Sequence, residues 1–139
     1  MPPMMLPRLL FAYLALFQLI LLVVSYFMNQ EAAAQFALHP TAMGLFAGAL
    51  VAFALGLFLP RRMIGKVKAP GAGTSHPLSK VITPYMLRLC LFETCSVFGF
   101  VAGFLHQDWH VMVPFVILGL IGTALSPPTE SFFENLRNG

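Results

Sequence analysis

Apolar residues along this chain fall into four long blocks, at residues 9–27, 42–59, 85–105 and 109–126, instead of alternating or marking one face of a surface helix. Each block is close to the ~20 residues that cross ~30 Å of hydrocarbon as a helix. Backbone groups in lipid must find their partners within the segment, so blocks of this length predict helices. The pattern therefore predicts an all-α fold: a polytopic integral membrane protein, residues 1–139 forming one domain, a bundle of four transmembrane helices. Thr41, after His39 and Pro40, is the expected N-cap of the second span, and Thr83 with Pro84 opens the third. Pro60 is expected to close the second span, and Pro127 with Pro128 the fourth. Pro114 falls in the first turn of the fourth, where no backbone partner is lost. The tail, 129–138, carries a capping-box spacing at Ser131 and Glu134 with Phe132, Phe133 and Leu136, which predicts a short C-terminal helix lying along the interface.

Composition sharpens this picture. Hydrophobic residues make up 58% of the 139 and charged residues 9%, with a mean hydropathy of +0.82. A soluble domain carries nearer a quarter charged residues, so a water-soluble monomer is excluded. The first block follows Arg8 and precedes Ala32, Ala33 and Ala34, in the manner of a secretory signal. It is longer than a signal core of ~7–15 residues, and an uncleaved first helix is expected. Cys90 and Cys95 lie five residues apart in one apolar run, which points them to different helix faces and indicates packing, not a disulfide.

The net charge of +3 is informative through its placement. Arg8 precedes the first span, while Arg61, Arg62, Lys66, Lys68 and Lys80 lie between the second and third, and Arg137 is in the tail. Segments 28–41 and 106–108 contain no Lys or Arg. By the positive-inside rule both termini and the central loop are expected in the cytoplasm, in a bacterial-type inner membrane. The excess charge thus sets topology, and no nucleic-acid partner is expected. The central loop, with Gly65, Pro70, Gly71, Gly73, Ser75 and Pro77, resists regular structure.

Glu93 is the acidic residue that lies inside a span, ~12 Å from the cytoplasmic edge at Tyr85. An ionised carboxylate at that depth costs at least ~2.5–3.5 kcal/mol, so Glu93 is expected to face protein or a water-filled cavity. Protonation, an opposite charge or hydrogen bonds would each lower that cost. Arg88 lies about 140° around the helix from Glu93, in position to snorkel to headgroups or to meet Glu93 of a neighbouring copy. Gln18 in the first span lies at nearly the same depth and is the expected hydrogen-bond partner within the chain. Gly44, Gly48, Ala52 and Gly56 recur every fourth residue, and Gly99 with Gly103 form a GxxxG step beside Ser96. Such stripes allow close helix approach, a main source of association energy in lipid.

The run from Leu91 through Glu93, Thr94, Cys95, Ser96, Val97, Phe98, Gly99 and Phe100 to Gly103 resembles the carboxylate helix of rotary-ATPase proteolipids, the ring-forming c subunits. There an acidic residue is followed by small and β-branched residues and an aromatic-glycine pair. The resemblance implies that Glu93 is an ion-binding carboxylate and that Gly44, Gly48 and Gly56 belong to the helix packed beside it.

Other chemistry is sparse. His106 and His110 have the i, i+4 spacing of a metal pair, with His39 in the other outer segment as a third ligand, but 106–108 reads as a tight turn. Interfacial histidines beside the aromatic anchor Trp109 are the plainer reading. No histidine pair lies inside two spans at matching depth, and there is no phosphate loop or Ser/His/Asp set. No cofactor and no enzymatic activity are expected. Two functions fit the pattern: a structural or assembly subunit packing against other membrane subunits or copies of itself, and a proton- or cation-translocating subunit working through Glu93.

Overall fold

The structure, a computed structural model, describes residues 5–29, 39–67 and 79–138, the side chains of 64–67, 79–80 and 136–138 excepted. Every element among them is helical: α1 (Met5–Met28), α2 (Pro40–Val67), α3 (Ser79–His106), a 3-10 turn (Trp109–Met112), α4 (Val113–Ala124) and α5 (Glu130–Asn138). Met5–Met28, Pro40–Met63 and Val81–His106 are long and apolar enough to cross a membrane. The fourth apolar block is shorter, Trp109–Ala124, and is built from two pieces. Asp108 caps the 3-10 turn through its side chain, and Pro114 then starts α4 at its first positions. The 12 residues of α4 rise only ~18 Å.

Helix α3 is the axis of the bundle, packing on α1, α2, α4 and α5. Its aromatic side chains enter holes made by glycines on the neighbours. Phe92 is fully buried, and a Cβ on Gly56 of α2 would lie 2.7 Å from its ring. Gly122 of α4 faces the same ring even more closely. In the reverse direction, Phe115 of α4 fills the space left by Gly99. Lipid tails are as apolar as these side chains, so the association rests on such fitted contacts and not on exclusion of water. A second cluster at the opposite end of α3 joins Val81, Tyr85 and Leu89 to Phe133 of α5, with Phe11 and Leu14 of α1 packed against it. Tyr85 also donates its hydroxyl hydrogen to the Ser126 carbonyl at 3.1 Å.

Several proline boundaries fall elsewhere than the sequence pattern implies. Helix α2 runs through Pro60 to Val67, and α3 begins at Ser79 instead of at the Thr83 and Pro84 pair. Each proline removes one backbone hydrogen bond, a loss that membrane helices tolerate when neighbours pack around the ring. Both prolines are buried. Helix α2 starts at Pro40, leaving Thr41 inside its first turn. Helix α5 is capped by Thr129 and not through a box opened at Ser131: the Phe132 amide donates to Thr129 Oγ1 at 3.3 Å, and the Phe133 amide to the Thr129 carbonyl at 3.1 Å. Ala32, Ala33, Ala34, the loop from Lys68 through Pro77, and the side chains of Lys66, Lys80, Leu136 and Arg137 lie outside the described residues.

The α3 end shows why a short turn suffices there. Gln107 adopts φ 51°, the Gln107 amide donates to the Phe104 carbonyl at 3.3 Å, and the Asp108 amide donates to the Gly103 carbonyl at 3.1 Å. These are the paired bonds of a Schellman ending, closed by a left-handed residue.

Candidate functional site

Polar side chains inside otherwise apolar helices show which face meets protein. On α1 the buried positions are Pro7, Gln18 and Ser25, one stripe along a 24-residue helix whose other faces are largely exposed. At the centre of the bundle Gln18 is completely buried. Its Nε2 donates to Thr123 Oγ1 of α4 at 3.0 Å, and its Oε1 accepts from Ser96 Oγ of α3 at 3.1 Å. Thr123 passes its own hydroxyl hydrogen to the Gly119 carbonyl at 2.9 Å. One amide thus ties three helices together, and Gly119 makes room for it. A Cβ at Gly119 would stand 2.6 Å from Ser96 Oγ, 2.8 Å from Gln18 Oε1 and 2.9 Å from the Phe92 carbonyl.

Glu93 lies outside this node. It follows Leu89 by one turn and precedes Ser96 by three residues, both buried, yet it also neighbours the exposed Met86, Cys90 and Val97. Its side chain is half-buried, on the flank of α3 between interior and outer surface. Among the described residues no hydrogen bond or ion pair reaches its carboxyl. The expected Gln18–Glu93 bond is not formed: Gln18 bonds Ser96 and Thr123 inside the bundle, while Glu93 lies on the flank of α3. The residue that sequence reasoning missed is Thr123, whose signal was a lone hydroxyl in an apolar helix.

Arg88 also differs from expectation. It does not snorkel outward: it is 4% exposed and directed into the bundle. Its Nε donates to Ser126 Oγ at 2.6 Å and its Nη2 to the Leu125 carbonyl at 3.4 Å, placing a cation on the C-terminal end of α4 where the helix dipole favours it. The rings of Phe92 and Phe132 stand 5.5 Å and 5.3 Å from the guanidinium carbon.

The glycine stripes are occupied within the chain. Gly48 faces Phe98, Gly56 faces Phe92, Gly99 faces Phe115, and Gly103 lies against Ser25 and Met112. Ala52 is buried with Ala49 and Cys95, whose thiol donates to the Ala49 carbonyl at 3.2 Å. Gly44 alone of the stripe meets nothing within 4 Å.

At the far end the histidines separate into two pairs. His39 stacks on His106, with ring centres 4.1 Å apart and planes within 7°. His110 Nδ1 pairs with Asp108 at 2.7 Å, and its ring stacks on Trp109. Parallel stacked imidazoles direct their in-plane lone pairs past each other, so this arrangement does not share a metal. No group of three or more metal-ligating side chains occurs among the described residues.

Comparison with known proteins adds no assignment: no family model matches the chain, and no curated protein or solved structure matches it at a significant level. What stands is the chain's own chemistry: three apolar helices of membrane-crossing length, a polar node that joins two of them to α4, and one carboxyl on the flank.

Proposed function

We propose that this chain is a small multi-pass subunit of a larger inner-membrane assembly or homo-oligomer, and that Glu93 is the polar contact through which a neighbour binds. The observation that carries this reading is the flank position of Glu93, half-buried in the middle of α3 and without a hydrogen-bond partner among the described residues. A carboxyl at that depth facing lipid is costly, and a donor from an adjoining helix removes the cost. The Gln18 node does not supply that donor, because its bonds go to Ser96 and Thr123. The holes at Gly48, Gly56 and Gly99 are filled by this chain's own aromatics, so the main partner-binding surface is the Glu93 flank with Met86, Cys90 and Val97. In the same reading the 3-10 turn and α4 form a fourth crossing, α5 lies at the cytoplasmic interface, and the basic residues keep both termini cytoplasmic.

A second reading has support from the same place. A carboxyl on an outer flank is reachable by a neighbouring subunit, as an ion-carrying carboxylate must be, and the local sequence resembles the proteolipid carboxylate helix. Glu93→Gln separates the two, since it keeps size and hydrogen-bonding capacity while removing the charge. Normal assembly with lost ion flux supports translocation. Intact flux with altered assembly size supports the structural role. A variant unchanged in both properties overturns both readings.

A further inference from the structure

We infer that the end of the bundle formed by α2, α3, α4 and α5 holds an anion-binding site, in which Arg88, supported by Arg61, takes the phosphate group of an anionic lipid headgroup. The inference is independent of Glu93 and requires only that the apolar helices lie in a bilayer.

Arg88 is buried, and among the described residues no carboxylate pairs with it. A guanidinium has five N–H donors in a planar fork and stays protonated. The bonds it makes here, to Ser126 Oγ and the Leu125 carbonyl, go to neutral oxygens, and the second is long. The Nη1 donors have no acceptor among the described residues. The only close contact between an acidic and a basic side chain among those residues is Asp108 with His110, at the opposite end of α3. Arg61 adds to the imbalance: Gly48 faces Phe98 and Gly56 faces Phe92, an antiparallel register that brings Arg61, five residues past Gly56, to the level of Arg88. Two like charges at one end of a membrane bundle, one of them desolvated, favour an anion between them. The carbonyl end of α4 offsets only about half an elementary charge.

The ligand chemistry follows from the donors. An arginine fork matches phosphate in two parallel bonds, where a lysine would offer a point charge. The half-buried ring of Phe132, 5.3 Å from the guanidinium carbon, gives an apolar wall that fits a phosphate arriving with acyl chains attached. Position agrees, because Arg61 directly follows Pro60 at the end of the second apolar block and Arg88 lies one turn inside the edge at Tyr85, within reach of the headgroups.

The test uses the full chain in nanodiscs of phosphatidylcholine, of phosphatidylcholine with phosphatidylglycerol, and of phosphatidylcholine with millimolar inorganic phosphate outside. Phosphatidylglycerol is expected to raise the melting midpoint by about 5 °C over phosphatidylcholine. Arg61→Ala is expected to at least halve the rise, and Arg88→Met to abolish it. Arg88→Lys is expected to keep a part, since it retains the charge but not the fork. A rise with phosphatidylglycerol alone assigns the lipid as source, and an equal rise with inorganic phosphate assigns the free anion to the same site. No rise in either medium overturns the proposal. A rise that is undiminished in both Arg61→Ala and Arg88→Lys also overturns it, because it then comes from the basic surface at large. Those two variants decide the matter if Arg88→Met does not fold.

Discussion

The Gln18 node and Glu93 lie at similar depth in the same bundle and are opposites. Gln18 is an uncharged amide, completely buried, with a donor and an acceptor matched on two other helices. Glu93 is an acid on the flank of α3, with no described group bonded to it. Polar groups in apolar surroundings are tolerated when satisfied, and the node is satisfied entirely by its own chain. Its role is therefore to fix the register of α1 against α3 and α4. Glu93 carries the same kind of cost without a remedy among the described residues, which is what the proposed neighbour would supply.

Substitutions on the two sides are expected to behave differently. The largest effect belongs to Gly119→Ala, whose added methyl meets Ser96 Oγ, Gln18 Oε1 and the Phe92 carbonyl at under 3 Å. It is expected to destabilise the isolated chain by about 3 kcal/mol in detergent-denaturation titrations. Gln18→Leu follows, at about 2 kcal/mol, since it strands the Ser96 hydroxyl and removes the partner of Thr123 in the interior. Equal stability of Gln18→Leu and the parent would show that the node is ornamental, and the comparison would lose one side.

Glu93→Gln is expected to change the stability of the dispersed chain by no more than about 0.5 kcal/mol, because no internal partner is lost. Its effect is expected instead in the mass of the native complex, or in ion flux, measured on membranes extracted under mild conditions. Gly44→Ala is the smallest change. Its Cβ enters open space, and replacing a helical glycine is expected to leave stability unchanged or to raise it by up to about 1 kcal/mol. A marked loss of assembly in Gly44→Ala, with chain stability intact, would identify this point as a second contact for a partner.

Much of the architecture was legible because hydropathy over some twenty residues reports lipid crossing directly, and three of the four apolar blocks appear as long continuous helices. The fourth was overextended, since hydropathy does not sense the Asp108 side chain that caps a 3-10 turn before α4. Pro60 and Pro84 misled as boundaries because a single missing backbone bond is a small loss inside a packed membrane helix. Site residues were harder to place. Depth along a helix is readable from residue number, but which of two adjoining faces looks inward is not. Glu93 and Ser96 differ by less than one turn, yet one faces the flank and the other the interior. The buried stripe of α1 shows the signal that would have resolved it: Gln18 and Ser25, two turns apart, mark one inward face. Arg88 was misplaced for a related reason, because snorkelling is the default for an isolated helix, and the α4 terminus that receives the guanidinium comes from a segment nearly forty residues away.

The most direct measurement is the reactivity of Glu93 toward a hydrophobic carbodiimide, read by peptide mass spectrometry, in the dispersed chain and in the intact native membrane at the same mildly acidic pH. The account predicts labelling of the dispersed chain and protection in the membrane, where a neighbour covers the flank. Failure to label the dispersed chain, or equal labelling in both states, would contradict it.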